Sequence, residues 1–522
     1  ATLFGLVGLS DILNYNKIIR KSLSGLINIR SFKLIFLFIL LGTANFYGQE
    51  QLFSDNYQIS IDKDSPKIAH VNAIIEIQDS LLYMSGIGAN QFPSRWAYFV
   101  HHLKAKTLNE HPIEIDSLEG AKWRIYSPNG SKIKLSYTVH LDHENFKWDG
   151  GVDGAAYARE WGVFYTGRSI FIMSGKQKKN IEVHFKIDEN WTVSTPWKNL
   201  DHSNISFTAI NQTTLSDGMF FAGTHEETVI KRDDFELVFA FGGEEIIEQK
   251  QSFIDMASGV MNYYIDLMGG VPNPSPDNKF KKAILVMNAS SQTDGEVIGN
   301  NISILLEKDG DEMSQLIARF MFAHEFFHLW NGKSFIPENE DCEWFKEGVS
   351  NYYTLKSLFH IGFLNEQSYL MVIDNFFYQR YHTDNGVGNL SLTQGDQKHD
   401  HWGLIYSGGF FAGISQDMII RSSTNNEQSL DDIMRTLFQK YGGTNNRYSL
   451  NELKRLMSDV SGKDQEVFFN TYIKGSQRIP LDHYLKVGGF SAEEANGKVL
   501  ISIKENRNSL EADINNGFFG KN

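Results

Sequence analysis

Between residues 49 and 244 the apolar positions recur with a period of two. Ile133, Leu135, Tyr137, Val139 and Leu141 alternate with polar neighbours, and Ile181, Val183, Phe185, Ile187 and then Leu237, Phe239, Phe241 repeat the pattern. Such spacing turns one face of a strand to a core and the other to solvent, and turn signals at Asn129-Gly130 and Gly150-Gly151 separate the runs. The expectation is an amino-terminal antiparallel β-sandwich-like domain over 49–244. At Glu245 the period changes: Phe253, Ala257, Met261, Tyr264 and Met268 recur at helical spacing, and Gly269-Gly270 with Pro272 closes the helix. Two short apolar runs, 282–287 and 301–306, read as buried strands. Met313 to Trp330 contains neither Pro nor Gly and can be helical. So can Glu343 to Leu358, whose start Asp341 marks and whose Trp344, Phe345, Val349 and Tyr352 can pack inward. Beyond Leu358 helical patterns at 365–381, 409–421, 430–441, 450–460 and 465–473 predict a carboxy-terminal α-helical lobe. The fold class is therefore multidomain α+β.

The 522 residues, 41% of them hydrophobic, are enough for two to four domains. The 13% aromatic share fits aromatic-rich sheets and cores. Net charge is −14, and residues 1–48 hold Lys17, Arg20, Lys21, Arg30 and Lys33 against Asp11, so the rest is more acidic still. Without a basic stripe, nucleic acid is excluded as a partner. Arg30 and Lys33 precede the apolar run Leu34 to Leu41, with Gly42 and Ala44 behind it. This reads as a secretory signal peptide within an amino-terminal extension, 1–48, and implies export to the periplasm or the extracellular space. The run is far short of the ~20 apolar residues of a spanning helix, so no permanent membrane anchor is expected. The single cysteine, Cys342, cannot form an internal disulfide.

Chemistry concentrates between Ala323 and Tyr353. His324 and His328 are four apart, which on a helix turns both imidazoles to one side. Glu325 is rotated by roughly 100° from His324, out of place as a third ligand but able to reach a water held by the pair. Glu347 follows His328 after eighteen residues and supplies the third ligand. Two imidazoles, one carboxylate and an open position suit one catalytic Zn2+ ion, with Glu325 as general base for amide hydrolysis. His70, His101 and His102 have no defensible ligand spacing and read as ordinary strand or loop histidines.

The runs HEFFHLWNGK and WFKEGVSNYY resemble the glycyl-aminopeptidase family, family sixty-one of the metallopeptidases, which are gluzincins related to the alanyl-aminopeptidases. The similarity covers roughly Tyr57 to Gly489. It implies a thermolysin-like catalytic domain over 245–360 beside the amino-terminal β domain, a helical lobe over 361–489, and His324, His328 and Glu347 as zinc ligands with Glu325 as base. Gly295-Glu296 stands where related aminopeptidases bind the substrate's free amino group, although Val297 replaces the family's His. Tyr406 matches the tyrosine that donates to the oxyanion, with Gly408 where the family has Lys. Many members carry a further PDZ-like domain; 490–522 is too short for one and reads as a short tail or the start of a truncated copy. The implied activity is removal of small residues such as Gly or Ala from peptide amino termini. An endopeptidase on the same scaffold and a peptide-binding protein that retains the zinc site are the alternatives.

Overall fold

The computed structural model describes residues 55–148, 154–276, 279–291, 293–307 and 312–521. The extension and signal peptide read at 1–48, and the turn at Gly150-Gly151, lie outside them. The amino-terminal domain is built on an eight-stranded sheet in which Ile68–Glu76 pairs antiparallel with Lys132–His140, Ile75 opposite Ile133. Lys132–His140 buries every second residue, as its alternation demands. The domain is not wholly antiparallel: Asn56–Ile61 runs parallel to Lys179–Lys186, with Asn56 opposite Glu182. A four-stranded and a three-stranded sheet complete it.

One strand belongs elsewhere than its alternation suggested. Phe235–Gly242 pairs in parallel with Lys282–Ser290, Leu237 opposite Ala283, and so joins the five-stranded catalytic sheet instead of the amino-terminal domain. The physical reason is burial on both faces, usual for parallel strands. Phe239, Phe241, Leu285 and Met287 enter the core shared with the helices, while Val238, Ala240, Ile284 and Val286 enter the core of the amino-terminal domain. The boundary expected at 244/245 therefore moves to the segment before Glu226–Arg232, which pairs with Phe235–Gly242. Gly295-Glu296 lies on a strand, Asp294–Ile298, at the edge of this sheet and antiparallel to Asn301–Glu307.

The helix Glu244–Met268 ends at Gly269, whose φ of 77° is the left-handed cap conformation that glycine adopts without strain. Tyr264 on this helix donates to the carbonyl of Ala323 at 3.0 Å and lies 3.0 Å from Ser357 Oγ, which ties together the two helices that carry the site. The lobe helices Leu430–Tyr441 and Leu450–Ser461 begin at the serine caps Ser429 and Ser449. The tail is built into the lobe as a hairpin, Phe490–Ala495 with Lys498–Ile503, and a helix, Ser509–Phe519. Phe518 and Phe519 of that helix are fully buried, and Tyr352 Oη donates to the carbonyl of Phe518. Among the described residues no helix is long and apolar enough to cross a membrane.

Candidate metal centre

The first histidine-bearing helix, Glu312–Phe327, ends one residue before His328. The chain continues in tighter turns, with the amides of His328, Leu329 and Trp330 donating to the carbonyls three residues back. His324 Nε2 and His328 Nε2 come to 3.1 Å, and Glu347 Oε2 stands 3.4 and 3.2 Å from them. Three ligand atoms thus face one point. A carboxylate oxygen of Glu325 is within 4.8 Å of the histidine ligand atoms. Among the described residues this is the group of histidines and acids whose ligand atoms converge. His70, His101 and His102 are exposed residues of the amino-terminal sheet; the His101 ring lies tilted against that of His140 with ring centres 4.0 Å apart.

The surroundings orient these side chains. His328 Nδ1 donates to the carbonyl of Asn331 at 2.8 Å, which leaves the Nε2 lone pair for a metal. Asn331 is fully buried, and its side chain donates to the carbonyl of Lys346 and to Ser350 Oγ, joining the two ligand-bearing segments. Glu347 lies in a π-helical turn, Trp344–Val349, that opens the helix Ser350–His360. A 3₁₀ turn precedes it, capped by Asn339, whose side chain accepts from the amide of Asp341; the expected cap at Asp341 is thus displaced by two residues. Burial opposes the charge of Glu347, but the His328 and His324 imidazoles outweigh it and hold the carboxyl well below its usual range. Burial likewise raises the Cys342 thiol, which leaves it an inert filler between the two segments.

Two lysines that sequence reasoning missed complete the centre. Lys346 Nζ and Lys398 Nζ lie 3.4 and 3.5 Å from Glu347 Oε1, the oxygen turned away from the histidines. Both also bind the buried Glu343, Lys346 at 2.6 Å and Lys398 at 2.7 Å. Burial alone would depress Lys398; Glu347 and Glu343 outweigh it and raise its pKa. Nothing in the sequence marks Lys398, since the pairing spans the gap between domain and lobe. Lys346 adjoins Glu347, yet only a π turn tells which way it faces.

Tyr406 lies in a second π-helical turn, Gly403–Gly408, ahead of the helix Gly409–Ser423. Its ring stacks on Trp402 at 4.9 Å and is 6.5 Å from that of His324. Burial, then the charges of Glu347, Glu325 and Glu343, push its pKa up, so the hydroxyl keeps its proton and can donate. His401 beside it is held by Asp384 at 2.8 Å. Glu296 sits on the edge strand; its carboxylate accepts from the amide of Gly154, and its neighbour Gly295 packs on Met321, one helical turn before His324. The fold therefore gathers His324, Glu325, His328 and Glu347 round one point, brings the Tyr406 ring beside that of His324 and sets Gly295-Glu296 along the adjoining sheet edge.

A metal fits this donor set. A buried carboxylate oxygen and two imidazole nitrogens converge within 3.4 Å of one another, an arrangement that a divalent cation satisfies.

Comparison with known proteins agrees with this geometry. The family model for the Peptidase M61 N-terminal domain matches residues 56–224, and that for M61 glycyl aminopeptidase matches residues 318–409. A comparison with curated protein sequences gives no match. In fold the chain is similar to the crystal structure of an aminopeptidase N family protein from Idiomarina loihiensis, with TM-score 0.70 and 17% identity over 84% of this chain and 79% of that one. With both the amino-terminal and the catalytic model matched in order, the chain belongs to the M61 glycyl aminopeptidase family of peptidases.

Proposed function

We propose that the protein is a zinc-dependent aminopeptidase that removes small residues, such as Gly or Ala, from the free amino ends of peptides. The observation that carries this reading is the convergence of His324 Nε2, His328 Nε2 and Glu347 Oε2 within 3.4 Å of one another. These residues would hold Zn2+, which supplies Lewis acidity and acidifies a water. Glu325 takes the proton of the attacking water and returns it to the leaving amine. The Tyr406 hydroxyl donates to the oxygen that gains charge in the transition state. The edge strand Asp294–Ile298 offers backbone groups to an extended substrate, and Glu296, its carboxylate oriented by the Gly154 amide, pairs with the substrate ammonium. The signal peptide read within 1–48 supports export, which amino-terminal sequencing of the protein from the periplasm or medium would test.

The test is hydrolysis of matched peptides with free and acetylated amino ends by the zinc-loaded protein, with Glu325→Gln as control. Cleavage of the free-ended set alone, abolished in the variant, is the expected result. Equal cleavage of both sets would make it an endopeptidase and remove the role of Glu296. No cleavage with zinc bound would leave a peptide-binding protein.

A further inference from the structure

A cavity of about 770 Å³ opens where the strands Phe235–Gly242, Lys282–Ser290 and Asn301–Glu307 of the catalytic sheet begin. The amino-terminal domain walls one side with Trp197, Ala209 and Ile210, and Phe280 and Ile336 continue the apolar lining. The volume is that of a site for a small organic molecule. Ile210 at the lining is 50% exposed, a large aliphatic side chain with nothing packed over half of it.

The charges of the lining are lopsided. Its three carboxylates are each neutralised: Asp217 by Arg168 at 3.0 Å, Glu236 by Lys231 at 2.6 Å and Asp234 by Lys281. Lys282 and Lys333 also line the cavity, are partly buried, and make no ion pair with a described residue. Burial lowers the pKa of both by more than the carboxylates in range raise it, Glu227 and Glu236 for Lys282 and Asp217 and Glu325 for Lys333. In a chain of net charge −14, an apolar hollow lined by two partly buried lysines outside any ion pair with a described residue is unusual ground. Such lysines are stabilised by a bound anion. The cavity is also tied to the metal centre, since Gly332 and Lys333 directly follow Asn331, whose carbonyl orients His328.

We propose that this cavity binds an organic carboxylate with an apolar body, its charge held by Lys282 and Lys333 and its body against Trp197, Ile210 and Phe280. A free aliphatic acid and the carboxyl end of a short apolar peptide share that chemistry. Titration calorimetry on the zinc-loaded full chain compares decanoate with decanol, and acetyl-trileucine acid with its amide. At least one acid binds ten-fold or more tightly than its neutral partner, and the pair that shows the preference names the source. The preference is lost in Lys282→Met/Lys333→Met. It is weakened at least ten-fold in Ile210→Glu, which adds a carboxylate at an exposed position and leaves the fold intact. It persists in metal-free Glu347→Gln. Equal binding of both acids and their neutral partners would overturn the proposal. So would a preference that survives the double substitution, or one that vanishes with the metal, because the anion would then sit on the metal. None of these readings depends on hydrolysis, so failure of the aminopeptidase reading is a separate outcome.

Discussion

Glu347 divides its two oxygens between two tasks, Oε2 towards the histidines and Oε1 towards Lys346 and Lys398. Partners behind a metal ligand orient it, and their loss typically weakens metal binding 10- to 100-fold. Lys398→Met is therefore expected to raise the zinc dissociation constant by about that factor, read by competition with a chromophoric chelator. In the proposed mechanism Tyr406→Phe removes only the donor to the oxyanion. It is expected to lower kcat by about 10² to 10³ with KM and zinc content little changed, measured by steady-state kinetics and metal analysis. At this scale the sequence was most legible where spacing alone decides geometry. His324, Glu325 and His328 follow from one helical period, whereas Lys398 reaches Glu347 only after the lobe has folded back, and no local pattern records that approach. The same holds for the Asp384–His401 contact behind Tyr406.

The elements that carry Glu347 and Tyr406 are both π turns leading into α-helices, and they cross at glycines. A Cβ on Gly348 would stand 2.2 Å from the carbonyl carbon of Gly409, and one on Gly409 would stand 2.1 Å from the carbonyl oxygen of Trp344. Only backbone fits there, and the crossing sets Tyr406 opposite the histidines. Gly348→Ala is expected to cost at least about 1 to 3 kcal/mol, as overpacking does, visible as a lower urea midpoint and accompanied by loss of activity. Helical periodicity located both helices to within a few residues but could not show the π turns, which insert one residue without changing the apolar pattern. Alternation misplaced Phe235–Gly242 for a related reason: a strand buried on both sides resembles a half-exposed one when its outward positions are Val238 and Ala240.

Across the whole molecule, the amino-terminal core runs without a break into one face of the catalytic sheet. Acid stability should report on that core. His143, fully buried among Trp96, Phe99 and Trp148, has its pKa lowered by burial from 6.5 to about 3, and burial lowers His225 to about 4. Each is neutral when folded and protonates in the unfolded chain below its ordinary value. The associated stability is fully present above pH 6.5 and is lost as pH falls towards the folded values, at up to about 1.4 kcal/mol per pH unit for each group. His143→Gln keeps an acceptor for the amide of Ala156 and is expected to flatten the slope of unfolding free energy between pH 6 and 4.5 by one proton, measured by urea unfolding.

In the proposed mechanism His324, His328 and Glu347 hold one zinc ion, with Glu325 beside it as base. Zinc content after loading and dialysis tests it most directly, compared among the parent protein, Glu347→Gln and Glu325→Gln, each shown to be folded. About one equivalent of zinc is expected in the parent and in Glu325→Gln, with loss of tight zinc in Glu347→Gln. Full retention of zinc by Glu347→Gln, or loss of it from Glu325→Gln, would contradict the assignment.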